Sequence, residues 1–241
     1  MNTFAIDDDP VSRLALVDLL RRFELGTCAE FESGDAAWVH LGTHPPPMLI
    51  LCDVRMPGMS GIDFLKKLRD RPDFARIPFV LVTSASERDT VQEAVRLGAS
   101  GYVVKPFSVE EAKSRLEGII QATWAEIAED PAATLRRLSI PAPKLNVYYS
   151  AFRRQIDEAL TMLREAPGSP TESVIIGKLD ALQTGCLTLG LWHGARILDS
   201  LQKHPRPGGC LKDFLVGVGE VLDHQRNCVR DGTWLRQERA T

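Results

Sequence analysis

The stretch Met48-Leu49-Ile50-Leu51-Cys52-Asp53-Val54-Arg55-Met56-Pro57-Gly58-Met59-Ser60-Gly61 decides the fold. Five consecutive apolar residues, followed by a carboxylate and a Pro/Gly/Ser cluster, read as a short buried strand, a loop and the start of a helix at Gly61. Working outward, similar apolar runs recur at residues 3–6, 27–31, 79–82 and 101–104. Amphipathic stretches lie between them, beginning near Pro10, Gly34, Gly61, Glu87 and Ser108. Alternating strand and helix predicts an α/β fold of the flavodoxin-like, doubly wound kind, with five parallel strands. Asp9 before Pro10 supplies an N-cap acceptor ahead of a proline suited to the first helical position. In the helix over 11–23, Leu14, Val17 and Leu20 form one expected buried stripe.

The chain has 241 residues, about two domains' worth. Its 44% hydrophobic and 25% charged residues fit an ordinary globular composition and exclude disorder as its main character. No apolar run reaches the roughly 18 residues of a membrane helix, and no signal-peptide pattern opens the chain, so a cytoplasmic location is expected. Cys28, Cys52, Cys186, Cys210 and Cys228 are odd in number and lack metal-ligand spacing; reduced thiols are expected, with neither disulfide nor zinc. Residues 1–124 carry 14 Lys and Arg against 18 Asp and Glu, and residues 125–241 carry 15 against 14, for net charges of −4 and +1. Neither balance is that of a nucleic-acid binder.

After residue 124 the apolar period becomes helical. The prolines at 131, 141 and 143 mark a linker over 125–144, in which Pro141 and Pro143 end any helix running on from the first domain. Helices are then expected over 145–164, 171–189, 192–204 and 210–230, an all-α four-helix bundle within a second domain of 145–232.

Asp7 and Asp8 follow the first expected strand, Asp53 the third, Thr83 the fourth and Lys105 the fifth. In an open parallel sheet these carboxyl ends face one crevice, where such folds place ligands. Like charges about 4 Å apart repel by about 4 kcal/mol at an effective dielectric near 20, so the three carboxylates call for a cation. Magnesium suits oxygen donors and commonly brings a phosphate oxygen with it, while Lys105 and Thr83 offer a cation and a hydroxyl to phosphoryl oxygens.

With these residues in view, residues 1–124 resemble the receiver domains of two-component response regulators. The resemblance rests on Ile6-Asp7-Asp8-Asp9-Pro10, on Asp53 in the stretch quoted first, on Thr83 in Leu81-Val82-Thr83-Ser84-Ala85, and on Tyr102 and Lys105 in Gly101-Tyr102-Val103-Val104-Lys105-Pro106-Phe107. It implies that Asp53 accepts a phosphoryl group from phosphohistidine. It further implies Mg²⁺ held by Asp8, Asp53 and the carbonyl of Arg55, with Asp7 acting through water, and Lys105 paired with the phosphate. Thr83 and Tyr102 take the family's switch positions, the Lys105–Pro106 bond is expected cis, and Arg55 and Ala85 border the path of attacking water.

The helical half resembles a histidine phosphotransfer domain whose chemistry is missing. Aligning Gly185 and Gly190 to that family's glycines puts Ala181 at the histidine position and Thr184 at the lysine position. Helical spacing predicts a buried seam of Ile175, Leu179, Leu182, Cys186 and Leu189, with Lys178, Ala181 and Gly185 on an exposed docking face. Among the histidines His193, at a helix start beside small residues, is the rival phosphoacceptor; His40, His44, His204 and His224 read as ordinary positions, the last on a helix surface.

The expected protein is therefore a phosphorylation-switched response regulator, no enzyme beyond its own phosphorylation and dephosphorylation, with an output that works by protein contact. A histidine kinase or phosphotransfer protein is the expected partner, with a second receiver and a phosphorylation-linked homodimer as further possibilities, and no membrane or nucleic acid. The alternatives are an active phosphorelay intermediate using another histidine and a nucleic-acid-binding transcriptional regulator.

Overall fold

The computed structural model describes residues 2–84, 88–165, 171–203 and 208–232, and the side chains of 88–90, 165, 171–176 and 208–210 lie outside the description. The chain divides into two compact units, Asn2–Thr123 and the residues from Trp124 onward.

The first unit alternates β1 (Asn2–Ile6), α1 (Pro10–Arg21), β2 (Thr27–Phe31), α2 (Gly34–Thr43), β3 (Ile50–Asp53), α3 (Gly61–Arg69), β4 (Phe79–Ser84), α4 (Arg88–Arg96), β5 (Gly101–Lys105) and α5 (Val109–Ile127). The five strands form one parallel sheet in the order β2-β1-β3-β4-β5. That order reverses direction between β1 and β3, so the crevice above their carboxyl ends is the switch point at which such sheets bind ligands. All four residues of β3 are buried, as are the first five of β4, which explains why these strands read as unbroken apolar runs rather than as alternation. Phe4, Ile6, Ile50, Phe64, Leu65 and Phe79 anchor the core on one face of the sheet.

Local signals set the helix starts. The Asp9 carboxylate accepts from the Ser12 N–H at 2.7 Å, capping α1 ahead of Pro10. Ser60 and Asp63 form a capping box at the start of α3. Gly61 is required there by space: a Cβ would lie 2.3 Å from the Asp53 carbonyl oxygen, so only glycine lets α3 begin against the end of β3. One stripe expectation fails. Val17 and Leu20 are buried but Leu14 is 59% exposed, because α1 buries the Leu16, Val17, Leu19 and Leu20 face.

The second unit contains the last turn of α5, then α6 (Pro131–Leu138), α7 (Ala142–Glu165), α8 (Thr171–Thr188), α9 (Trp192–Lys203) and α10 (Gly208–Asp231). Helix α7 packs on α8 and α10, and α8 packs on α9. On α7, Leu145, Tyr149, Phe152, Ile156 and Ala159 are buried at helical spacing; α10 answers with Phe214, Leu215, Val218, Val221, Leu222 and Val229. The segment expected to be a linker holds a helix instead. Asp130 caps it by accepting from the Ala132 N–H at 2.8 Å, and Pro131 sits in its first turn, so this proline serves as a helix start inside the expected linker. Pro143 likewise falls in the first turn of α7, where its missing N–H costs nothing.

Glu129 ties this region down. Its carboxylate accepts from the Arg137 guanidinium at 2.7 Å and from the Thr134 hydroxyl at 2.8 Å, while its N–H donates to the Gly190 carbonyl at 2.7 Å. Burial works against its charge, but Arg137 and Thr134 prevail and hold its carboxyl below the usual range. A carboxyl with a depressed pKa adds stability that is present above its unfolded pKa near 4.5 and is lost as pH falls through the folded value. Glu129→Gln is expected to lower the stability of the second unit by about 1–2 kcal/mol at pH 7, with the gap narrowing as pH falls below 4.5. Urea melts of both proteins at pH 7 and pH 3.5 check this; a gap of equal size at the two pH values contradicts it.

Candidate functional site

The ends of β1, β3, β4 and β5 carry Asp7, Asp53, Thr83 and Lys105 into one crevice. The Lys105 ammonium donates to Asp7 Oδ2 at 2.7 Å and to Asp53 Oδ1 at 2.5 Å, joining residues 98 and 52 positions apart in the chain. Asp7 is fully buried and Asp53 is 8% exposed. The second oxygen of each carboxylate is held by its own loop: Asp7 Oδ1 accepts from the Asp9 N–H at 3.0 Å, and Asp53 Oδ2 from the Arg55 N–H at 2.7 Å. The Thr83 hydroxyl, on a residue 1% exposed, donates to the Ser84 carbonyl at 3.2 Å. The Lys105–Pro106 bond is cis.

Burial raises the Asp53 pKa above its ordinary value, with the negative charge of Asp7 adding to the rise and the Lys105 ammonium opposing it. For Lys105 burial works against the charge, yet its hydrogen bonds to Asp53 and Asp7 prevail and its proton is held more tightly than usual. The site thus keeps a carboxylate that is costly to ionise next to a cation committed to staying charged.

The expected cluster of three carboxylates takes a different form. Asp7 and Asp53 meet through Lys105, whereas Asp8 is exposed, and no three acidic, His or Cys side chains among the described residues converge on one point. Lys105 is the physical reason: its ammonium already neutralises one charge of the buried pair. The donors still suit a hard cation. All are oxygens, and Asp7, Asp8 and Asp53 against Lys105 leave an excess of negative charge. Arg55 is exposed, Tyr102 is 38% exposed, and Ala85 lies outside the described residues.

Sequence reasoning missed two supporting residues. Arg13 donates to the Asp7 carbonyl at 2.7 Å and lies 3.8 Å from Glu30, so it steadies the loop carrying Asp8; its place one turn into α1 was the available signal. Asp35 accepts from the Met59 N–H at 3.3 Å, tying the loop after Asp53 to the start of α2, a contact across 24 residues that has no local signature.

In the second unit, Leu179, Leu182, Cys186 and Leu189 form the expected buried seam, and the Ile175 side chain lies outside the described residues. Ala181 is exposed and Lys178 half-buried. They open onto two grooves between α7 and α8: Ala181 and Gly185 with Tyr148 and Gln155, and Lys178 with Arg154 and Asp157. Gly185 is not the open landing place expected, since the Phe152 ring packs directly on it. His193 is half-buried, and burial with the nearby Arg196 charge pushes its imidazole down to about 3, so it is neutral. His224, expected on a helix surface, stacks on Trp124 with ring centroids 4.4 Å apart. His40 stacks on His44 at 3.7 Å, and His204 lies outside the described residues.

A five-stranded parallel sheet in this order, with two buried carboxylates bridged by a lysine at its switch point, defines a receiver-type α/β domain. The family model of the response regulator receiver domain matches residues 3–117. A probable chemotaxis protein CheY of Rhizobium etli is 32% identical over 117 residues, 48% of this chain and 90% of that protein. The chemotaxis protein CheY of Pseudomonas aeruginosa is 33% identical over 123 residues, 50% of this chain and 97% of that one. Among solved structures, a putative response regulator from Chloroflexus aurantiacus aligns with a TM-score of 0.46 at 25% identity, over 50% of this chain and 97% of that chain. The chain belongs to the response regulator receiver family, and the match lies in the first unit. Among the described residues no helix is long and apolar enough to cross a membrane.

Proposed function

We propose that this chain is a response regulator whose Asp53 accepts a phosphoryl group and thereby switches the contacts made by its helical unit. The observation that carries the reading is the Lys105 ammonium bridging Asp7 and Asp53 in a buried crevice. Asp53 Oδ attacks the phosphorus of a phosphohistidine or small phosphoryl donor; the new P–O bond forms as the P–N or P–O bond to the leaving group breaks. Lys105 then follows the charge from the Asp53 carboxylate to the phosphoryl oxygens, and Thr83 turns its hydroxyl from the Ser84 carbonyl to another of them. Asp8, Asp53 and the Arg55 carbonyl would hold Mg²⁺, with Asp7 beside them. When bound, the ion supplies positive charge for the phosphoryl oxygens. Tyr102, now partly in solvent, moves toward the space Thr83 leaves, altering the surface around β5.

The four long helices of the second unit serve as a bundle-like output that works by contact. Ala181 at the expected histidine position has no nucleophile, so its groove with Tyr148 and Gln155 suits docking without transfer. Upstream partners are a histidine kinase or phosphotransfer protein. The test is to load the full chain with acetyl phosphate and Mg²⁺ and map the label, with His193→Gln as control. Acyl phosphate on Asp53 supports the reading; acid-labile, base-stable phosphate that depends on His193 makes the protein a relay instead.

Arg55 is exposed at the rim two residues after the acceptor. Its charge beside the phosphoryl group shields the acyl phosphate from water, so Arg55→Ala is expected to hydrolyse about 2–5 times faster. Single-turnover decay of labelled protein measures this, and equal or slower decay in the variant rejects it.

A further inference from the structure

We infer that Cys228 is a peroxide-reactive thiol, a modification site in the second unit formed by its pairing with His224 and suited to small hydroperoxides. The Cys228 sulfur lies 3.4 Å from His224 Nε2, one turn away on α10. A thiol beside an imidazole can pass its proton to nitrogen, and the thiolate is the reactive form. The other face of the pair favours that transfer. The His224 ring stacks on the Trp124 indole at 4.4 Å and 24°, and an aromatic face attracts an imidazolium more than a neutral ring. Cys228 is half-buried, whereas Cys52 and Cys186 are buried.

The other described cysteines lack this setting. Cys52 is fully buried, and burial together with the Asp53 and Asp7 charges drives its thiol well above the usual range. Burial pushes Cys186 up to about 12 and Cys28 up to about 11. Among the described residues, the buried polar atoms with no hydrogen-bond partner include the hydroxyl of Tyr149, within electrostatic reach of Cys228, and Gln225 Oε1, three residues before Cys228 on α10.

The reaction balances with the peroxide as oxidant. The Cys228 proton moves to His224 Nε2, and the thiolate attacks one peroxide oxygen. An S–O bond forms as the O–O bond breaks, and the departing hydroxide takes the proton from the imidazolium and leaves as water. Sulfur is oxidised to the sulfenic acid and the peroxide is reduced.

The experiment treats the reduced full-length chain with hydrogen peroxide in the presence of dimedone, which traps sulfenic acid, and follows each cysteine by peptide mapping, Cys210 included. Cys228 is expected to label at least about tenfold faster than any other cysteine, Cys228→Ser to lose that label, and His224→Gln to slow it about tenfold. Equal labelling of all five thiols, faster labelling elsewhere, or an unchanged rate in His224→Gln overturns the proposal. The order of labelling in the unaltered protein stands as a test even if His224→Gln unfolds, an event that labelling of the buried Cys186 reports.

Discussion

Asp53→Asn is expected to reduce phosphoryl acceptance from acetyl phosphate or a phosphohistidine donor by at least about a thousandfold. The amide has nearly the shape of the carboxylate, and its Oδ1 can still accept from Lys105 and its surroundings, but it carries no charge with which to attack phosphorus. Folding is expected to respond in the opposite sense. The Asp53 pKa is raised, first by burial, so the stabilising contribution of its proton is present below about pH 3.8 and lost as pH rises through the folded value. At pH 7 the ionised side chain therefore costs stability, and the neutral Asn removes that cost. The variant should melt at or above the temperature of the unaltered chain while failing to label. Retained labelling places the acceptor elsewhere; a lower melting temperature with lost labelling means that Asp53 serves the fold instead.

Gly185→Val is expected to destabilise the second unit by about 2–3 kcal/mol, because it forces extra atoms against the buried Phe152 ring. A Cβ at Gly185 would lie 2.2 Å from Phe152 Cε2 and 2.4 Å from Cδ2, well inside contact distance, and Phe152 is itself buried on α7. Either the Phe152 ring must leave its place or α7 must part from α8, and valine adds branching to the clash. Gly177, on the same helix with nothing near its missing Cβ, is the control: Gly177→Ala should be neutral or stabilising by up to about 1 kcal/mol. Urea denaturation followed by tryptophan fluorescence and circular dichroism separates the two. Phosphorylation at Asp53 is expected to persist in Gly185→Val, since the acceptor lies in the other unit. A Gly185→Val chain as stable as Gly177→Ala would show that α7 and α8 do not meet at that glycine.

The readable and unreadable parts of the molecule divide along physical lines. The five strands and their connecting helices were legible because each is a local signal: a short apolar run, a cap such as Asp9, a proline suited to a first turn. The linker expectation over 125–144 misled, because local rules do not distinguish a proline that stops a helix from one that opens it, and Pro131 and Pro143 each sit in a first turn. Leu14 misled for a related reason, since the 3.6-residue period allows more than one apolar face and only packing against the sheet selects Leu16, Val17, Leu19 and Leu20.

By itself the sequence determined the α/β class, the parallel sheet, the helical second half and the set of polar residues at the strand ends. These follow from short-range patterning and from the rule that parallel strands point their carboxyl ends the same way. Only the tertiary structure decided that Lys105 lies between Asp7 and Asp53 while Asp8 stands apart, that Phe152 closes over Gly185, and that Trp124 covers His224 beside Cys228. Those contacts join residues from 33 to 100 positions apart or depend on which rotamer the packing leaves open, and no local period encodes such meetings.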